Sequence, residues 1–283
     1  MRAFLLIVAL FSSLPQAAAF STSGFAYPYG VVADPSDGKI YVSNVNGPPN
    51  AKNDNGFISR LNADGTIDEV RFIDAVRPDT ELDAPKGMAI VGKTLYVADI
   101  DHLRRFDVAT GKQLENIELG AATPKHLYGL AIGPDGALYA VDGESNRVLR
   151  IGIGDDTSVR VFIEAELLGQ PHSLVWHPQK ELFLIAGWSS GKVTAWDRNG
   201  KQQYIPGILL RTLEGSAIDA AGNVYVASTV LRAIYKIPND FALESLALDV
   251  SSAAGLAFDS LGERILATHF DENTVSSYSL KQQ

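Results

Sequence analysis

The sequence predicts an all-β protein, a six-bladed β-propeller with four antiparallel strands per blade. Three observations carry this. An apolar hairpin recurs six times at intervals of roughly 40 residues, the spacing expected of propeller blades. Each hairpin is followed by a third alternating strand, and all but the last by a turn and a more variable fourth strand. The last unit stops after three strands, and residues 20–26 are placed to supply the fourth, so an N-terminal strand is expected to close the ring.

The chain begins with a different kind of segment. Arg2, the apolar run Phe4–Leu10 and the small residues Ala17-Ala18-Ala19 make a secretory signal peptide, with cleavage expected after Ala19. The apolar run falls short of the ~20 residues a bilayer span needs, and no other segment reaches it. Residues 20–283 then form one propeller domain, exported to the periplasm or secreted. There is no cysteine, so stability must come from the core alone. The formal charge of −9 grows by one unit when Arg2 leaves, which argues against nucleic acid and anionic membranes as partners. A monomer is expected.

The first hairpin is Tyr29–Asp34, turning at Ser36-Asp37-Gly38 into Lys39–Asn44. The second runs Lys86–Ile90 into Thr94–Asp99. The third, Leu127–Ile132, turns through Gly133-Pro134-Asp135-Gly136 into Leu138–Asp142 and is the clearest copy, because Pro and Gly fit the successive positions of a tight turn. The fourth is His172–His177 with Glu181–Ala186, the fifth Glu214–Asp219 with Val224–Ser228, and the sixth Ala254–Asp259 with Arg264–His269. Stacking such sheets radially covers both faces of each and leaves only short edges. Gly30, Gly87, Gly129, Gly215 and Gly255 open five inner strands, with Ser173 in the remaining one. Small residues there suit a crowded axis. The Asn/Asp-rich stretch 46–55 reads as a solvated loop. It lacks the acidic spacing of a known calcium loop.

The loops into each inner strand and out of each second strand should line one channel mouth. Just before the opening glycine or serine stand Tyr29, Lys86, Tyr128, His172, Glu214 and Ala254. Leaving the second strand stand Asn44, Asp99, Asp142, Gly187, Ser228 and His269. This mixed-charge, aromatic mouth is the default ligand site. The ligand-binding candidates are therefore Tyr29, Asn44, Lys86, Asp99, Tyr128, Asp142, His172, Glu214 and His269, with Trp188 added as the aromatic suited to stacking. Asp99 and Asp142 also admit a turn-capping role. Trp176 and Trp196 read as blade packing, and His126 and His177 as loop histidines.

The third unit, continued through Asp142-Gly143-Glu144-Ser145-Asn146-Arg147-Val148, resembles the NHL-repeat propellers. The whole mature chain resembles the senescence-marker-protein/gluconolactonase-like propellers, which share this blade. That resemblance implies one divalent cation (Ca, Zn or Mn) at the mouth, held by a first-blade carboxylate, two asparagines and an aspartate, and acting on a lactone. By position Glu214 stands for the aspartate and His172 for one asparagine. Pro28-Tyr29 and Leu127-Tyr128 occupy the other two positions, and Lys86 brings a positive charge to the same space. Pro171-His172-Ser173-Leu174 also resembles the histidine motif of peptidylglycine amidating lyases, which hold zinc with three histidines. Here His269 could join His172 and Glu214 as a ligand set.

Three functions remain open. The first is binding of a small molecule or a peptide at the mouth. The second is metal-dependent hydrolysis of the lactonase type, with His172 and Glu214 as ligands. The third is a purely structural interaction ring. The repeats are scaffold and do not choose between enzyme and binder.

Overall fold

The computed structural model describes residues 18–281, so the expected signal peptide lies almost wholly outside it. The strands form six four-stranded antiparallel sheets. β1 (Phe20–Ser23) comes first. Blade 1 is β2 (Pro28–Ala33), β3 (Ile40–Asn44), β4 (Phe57–Leu61) and β5 (Ile67–Asp74). Blade 2 is β6 (Pro85–Val91), β7 (Thr94–Asp99), β8 (His102–Asp107) and β9 (Gln113–Ile117). Blade 3 is β10 (Leu127–Ile132), β11 (Leu138–Asp142), β12 (Arg147–Ile151) and β13 (Val159–Glu164). Blade 4 is β14 (Pro171–His177), β15 (Leu182–Gly187), β16 (Val193–Asp197) and β17 (Gln202–Gln203). Blade 5 is β18 (Leu213–Ile218), β19 (Val224–Ser228), β20 (Ala233–Ile237) and β21 (Glu244–Leu248). Blade 6 is β22 (Ala253–Asp259), β23 (Arg264–His269) and β24 (Thr274–Ser279). β1 lies antiparallel beside β24 with Phe20 opposite Ser277, and it occupies the outer place in that sheet. Among the described residues the only helical turns are short 3-10 segments.

The six-fold reading from the repeats therefore holds strand by strand. The fourth strand of blade 4 departs from it, with only two residues. Pro206 has no N–H to give a ladder, and pairing resumes as a single bridge between Lys192 and Leu209.

The core is a ring of apolar clusters, one between each pair of neighbouring blades. Tyr41, Ile58 and Phe72 of blade 1 meet Leu95, Val97 and Phe106 of blade 2. Leu184 and Val193 of blade 4 meet Val224 and Val226 of blade 5. Leu266 and Val275 of blade 6 meet Val31, Ile40 and Val42 of blade 1. Each sheet hides both faces this way, which explains why the central strands are almost wholly buried without a cysteine to help.

Two local devices prepare the mouth. Every inner hairpin carries a register shift at the residue before the glycine or at the glycine itself, as between Pro28 and Val31 or Ala253 and Leu256. A bulge of this kind re-aims a side chain, here toward the axis. The inner strands then meet almost backbone to backbone. A Cβ at Gly30, Gly87, Gly129, Gly215 or Gly255 would stand 2.0–2.8 Å from a carbonyl oxygen of the next blade. Ser43 Oγ and Thr268 Oγ1 tie this collar, donating to the carbonyls of Lys86 (2.7 Å) and Tyr29 (2.6 Å).

Candidate functional site

The six residues aimed inward by the bulges form a nearly continuous ring of contacts. Lys86 Nζ stands 5.9 Å from the Tyr29 ring centre and 5.4 Å from that of Tyr128. The Tyr128 and His172 rings stack at 3.9 Å between centroids and 14° between planes. His172 Nδ1 donates to Glu214 Oε2 at 2.8 Å, because a carboxylate oxygen there can only accept. Tyr29 Oη donates to the same Oε2 at 3.0 Å. Ala254, the sixth member, adds only a methyl, and the ring closes across it. Below lies a narrow channel of about 60 Å³ lined by the collar residues.

The stack extends beyond the ring. His126 lies on the other face of Tyr128, 4.7 Å away and 18° from parallel, and Trp188 lies beyond His172 at 5.6 Å and 19°. His126 lies in the loop before β10, as expected, and that loop buries it against the site, where its Nε2 has no hydrogen-bond partner among the described residues. Burial, reinforced by the charge of Lys86, pulls its pKa down to about 4, so it stays neutral at physiological pH.

Above the ring opens a cavity of about 530 Å³. It sits on the side of blades 5 and 6, where Ala254 leaves room. Trp188, Val230, Ala254 and Phe270 give it apolar walls, and Tyr29, His172 and Glu214 a polar floor. Arg232 and Asp271 stand at the rim, and Pro49 reaches in from the blade 1 loop. Trp188 is 39 % exposed, a wall facing open space rather than core.

Burial keeps the two tyrosines of the site protonated. Burial raises the Tyr29 hydroxyl well above its ordinary pKa, helped by the Glu214 charge, and pushes Tyr128 up to about 12. Both therefore remain donors. Lys86 is fully buried. Its Nζ donates to Pro49 O (2.7 Å) and Ala84 O (3.3 Å) rather than into the cavity. Desolvation draws its pKa down to about 8, partly offset by the charges of Asp99 and Glu144.

The structure brings together Tyr29, Lys86, Tyr128, His172, Trp188 and Glu214. It does not bring the other four predicted residues to the mouth. Asn44, Asp99, Asp142 and His269 are buried within their blades. Asn44 Oδ1 accepts from Ala26 N at 2.9 Å, Asp99 from Asp83 N, Ala84 N and Arg104 Nε, and Asp142 from Lys125 N, His126 N and Arg147 Nη2. His269 Nδ1 donates to Ser251 O at 2.8 Å and its Nε2 meets Ser276 Oγ at 3.0 Å. Each clamps the strand end to the loop that enters the same blade. Such a loop carries backbone groups that need partners, so the polar residue is spent there.

The readings of Trp176 and Trp196 correspond to what is seen, whereas His177 is the buried last residue of β14 rather than a loop residue and keeps only the expected turn contact. Trp176 packs on Phe183, Trp196 is buried, and His177 Nδ1 accepts from Lys180 N within its turn. The 46–55 loop is cross-tied by Asn46 and Asn55, each amide donating to the other's carbonyl. Sequence reading missed Val230, Arg232 and Phe270. A register signal existed for one of them: Phe270 directly follows its strand-end residue, as Trp188 follows Gly187.

A divalent cation here would draw on His172 and Glu214. The donor set does not fit one. Nδ1 and Oε2 are already bonded to each other, and Tyr29 Oη loads the same oxygen. His269 is turned away, and among the described residues no group of three or more His, Cys, Asp or Glu forms anywhere.

Neither a scan of protein-family models nor a search of curated sequences found a match. Solved structures do match. Virginiamycin B lyase from Staphylococcus aureus superposes with a TM-score of 0.65 at 14 % identity, covering 93 % of this chain and 99 % of that one. A Bacteroides thetaiotaomicron protein of unknown function gives 0.71 at 15 %, covering 93 % and 72 %. A protein described as a putative gluconolactonase gives 0.70 at 15 %, covering 92 % and 90 %. At such identities the likeness is one of fold.

Proposed function

We propose that this chain is an exported propeller that binds an amphipathic small molecule in the cavity over Ala254. The observation that carries this is the opposition of two chemistries across one space. Trp188, Val230 and Phe270 offer apolar surface, and Tyr29, His172 and Glu214 offer oriented polar groups. The volume of about 530 Å³ falls within the range of small-molecule sites, which favours that ligand class over a peptide. Arg232 at the rim suits a ligand with an anionic end.

The test uses 8-anilinonaphthalene-1-sulfonate, an apolar anion whose fluorescence rises in such a cavity. Wild-type protein should bind it saturably. Ala254→Phe, which fills the space, and Trp188→Ala, which removes a wall, should each weaken it about tenfold, roughly 1.4 kcal/mol. Unchanged affinity in a folded Ala254→Phe protein would overturn the assignment. Export is tested separately, by finding a mature protein outside the cytoplasm whose mass begins at Phe20.

The second reading is metal-dependent lactone hydrolysis. Its one support is the neighbour described as a putative gluconolactonase, and the His172–Glu214 bond stands against it. Titrating Ca, Zn and Mn in a thermal melt decides it, since a tightly bound ion raises the midpoint by mass action. No shift with any of the three removes this reading.

A further inference from the structure

We infer that His172, held by Glu214, is a general base that removes a proton from a substrate seated in the cavity, without a metal ion. The inference rests on the cavity being a ligand site. It is carried by three geometric facts. Glu214 Oε2 accepts a hydrogen bond from His172 Nδ1–H at 2.8 Å, which fixes the tautomer and leaves Nε2 as the ring's acceptor. Tyr128 on one face at 3.9 Å and Trp188 on the other at 5.6 Å prevent the imidazole from turning. No side chain or backbone group among the described residues bonds Nε2, although the ring lines the cavity. An imidazole whose orientation is set by a carboxylate and whose second nitrogen faces a binding space has the geometry of a general base.

Tyr29 completes the arrangement. Its hydroxyl donates to the same carboxylate oxygen at 3.0 Å, so Glu214 is held from two sides and cannot swing away from His172. Glu214 and Tyr29 are positioning residues, and His172 is the group that touches substrate. The chemical class that fits is a planar, largely apolar molecule bearing an acidic C–H or O–H. The electron pair left behind is stabilised on an atom placed toward Arg232 at the rim. The step balances within the substrate and the base. The proton passes to Nε2, the electron pair expels or delocalises onto the substrate's own acceptor atom, and the imidazolium returns its proton to water or product.

The probe is 5-nitrobenzisoxazole, a planar carbon acid. Its C3 proton passes to a base as the N–O bond breaks, giving a coloured cyanophenolate with no co-reactant. The measurement is made on mature protein with EDTA present, and binding is followed in parallel by quenching of tryptophan fluorescence. The expected result is saturable turnover, lowered about 100-fold in His172→Ala and in His172→Gln, which keeps a donor for Glu214. Glu214→Gln should lower kcat about tenfold with KM unchanged, which a merely structural loss would not do. Binding without turnover, or turnover that survives both His172 substitutions, overturns the general base and leaves the ligand site standing. A probe that neither quenches nor reacts counts against both.

Discussion

The Tyr128 ring and the His172 imidazole lie face to face, 3.9 Å between centroids, although they come from different blades. The stack holds the imidazole edge-on to the cavity. Tyr128→Phe should preserve it and change stability by less than about 0.5 kcal/mol, because the hydroxyl has no hydrogen-bond partner among the described residues. Tyr128→Ala should cost about 2 kcal/mol, less than a fully buried aromatic, because the residue is only partly buried. Urea unfolding of the two variants checks both values, and equal midpoints would show that the stack contributes nothing.

Lys86 sets a pH dependence. Its folded pKa of about 8 lies below the ordinary 10.5, so between these values the unfolded chain binds more protons. The sign follows: the penalty of burying the ammonium is present below pH 8 and is relieved as pH rises toward 10.5. Relative to Lys86→Met, wild-type protein should gain up to roughly 3 kcal/mol across that window, and the two should run parallel below it. Parallel curves throughout would mean that the ammonium is not held down.

Asp99 is a clamp, and its loss should be felt in folding first. Asp99→Ala strands two backbone N–H groups and leaves the buried Arg104 guanidinium with Glu81 as its one carboxylate, at a cost of about 3 kcal/mol. Asp99→Asn keeps an acceptor oxygen and should cost less. Thermal melts of both variants check the order, and an Asp99→Ala protein as stable as wild type would return Asp99 to the list of ligand residues.

Much of the architecture was readable because it is local. Turn residues such as Pro134-Asp135-Gly136 and period-two alternation act within a dozen residues, and six repetitions removed ambiguity. The ring of Tyr29, Lys86, Tyr128, His172 and Glu214 was readable for a related reason, since each sits at one fixed place beside a glycine or serine. What failed was direction. Asp142 and His269 occupy equivalent strand ends, and nothing in a single sequence says that their partners are loop groups 16 to 18 residues earlier. Arg232 and Val230 lie in the turn after β19, which recurs in the other blades with different residues, so no residue type pointed to them. His126 was hidden by the same cause, because its partner ring, Tyr128, lies two residues along a backbone whose bulge redirects it.

The glycine collar has a consequence for how such a site can change. With neighbouring backbones nearly touching at five of the six inner strands, the aperture cannot widen or shrink, and its diameter is a constant of the architecture. The residue in front of each glycine or serine is freer, because its side chain points into the opening, except at Lys86, which is buried against Pro49 O and Ala84 O. Five such positions, Tyr29, Tyr128, His172, Glu214 and Ala254, are thus mounted on one tight frame. Replacing one resets the shape and charge of the opening without disturbing its neighbours' mounts, and Ala254 is the position this chain has left blank.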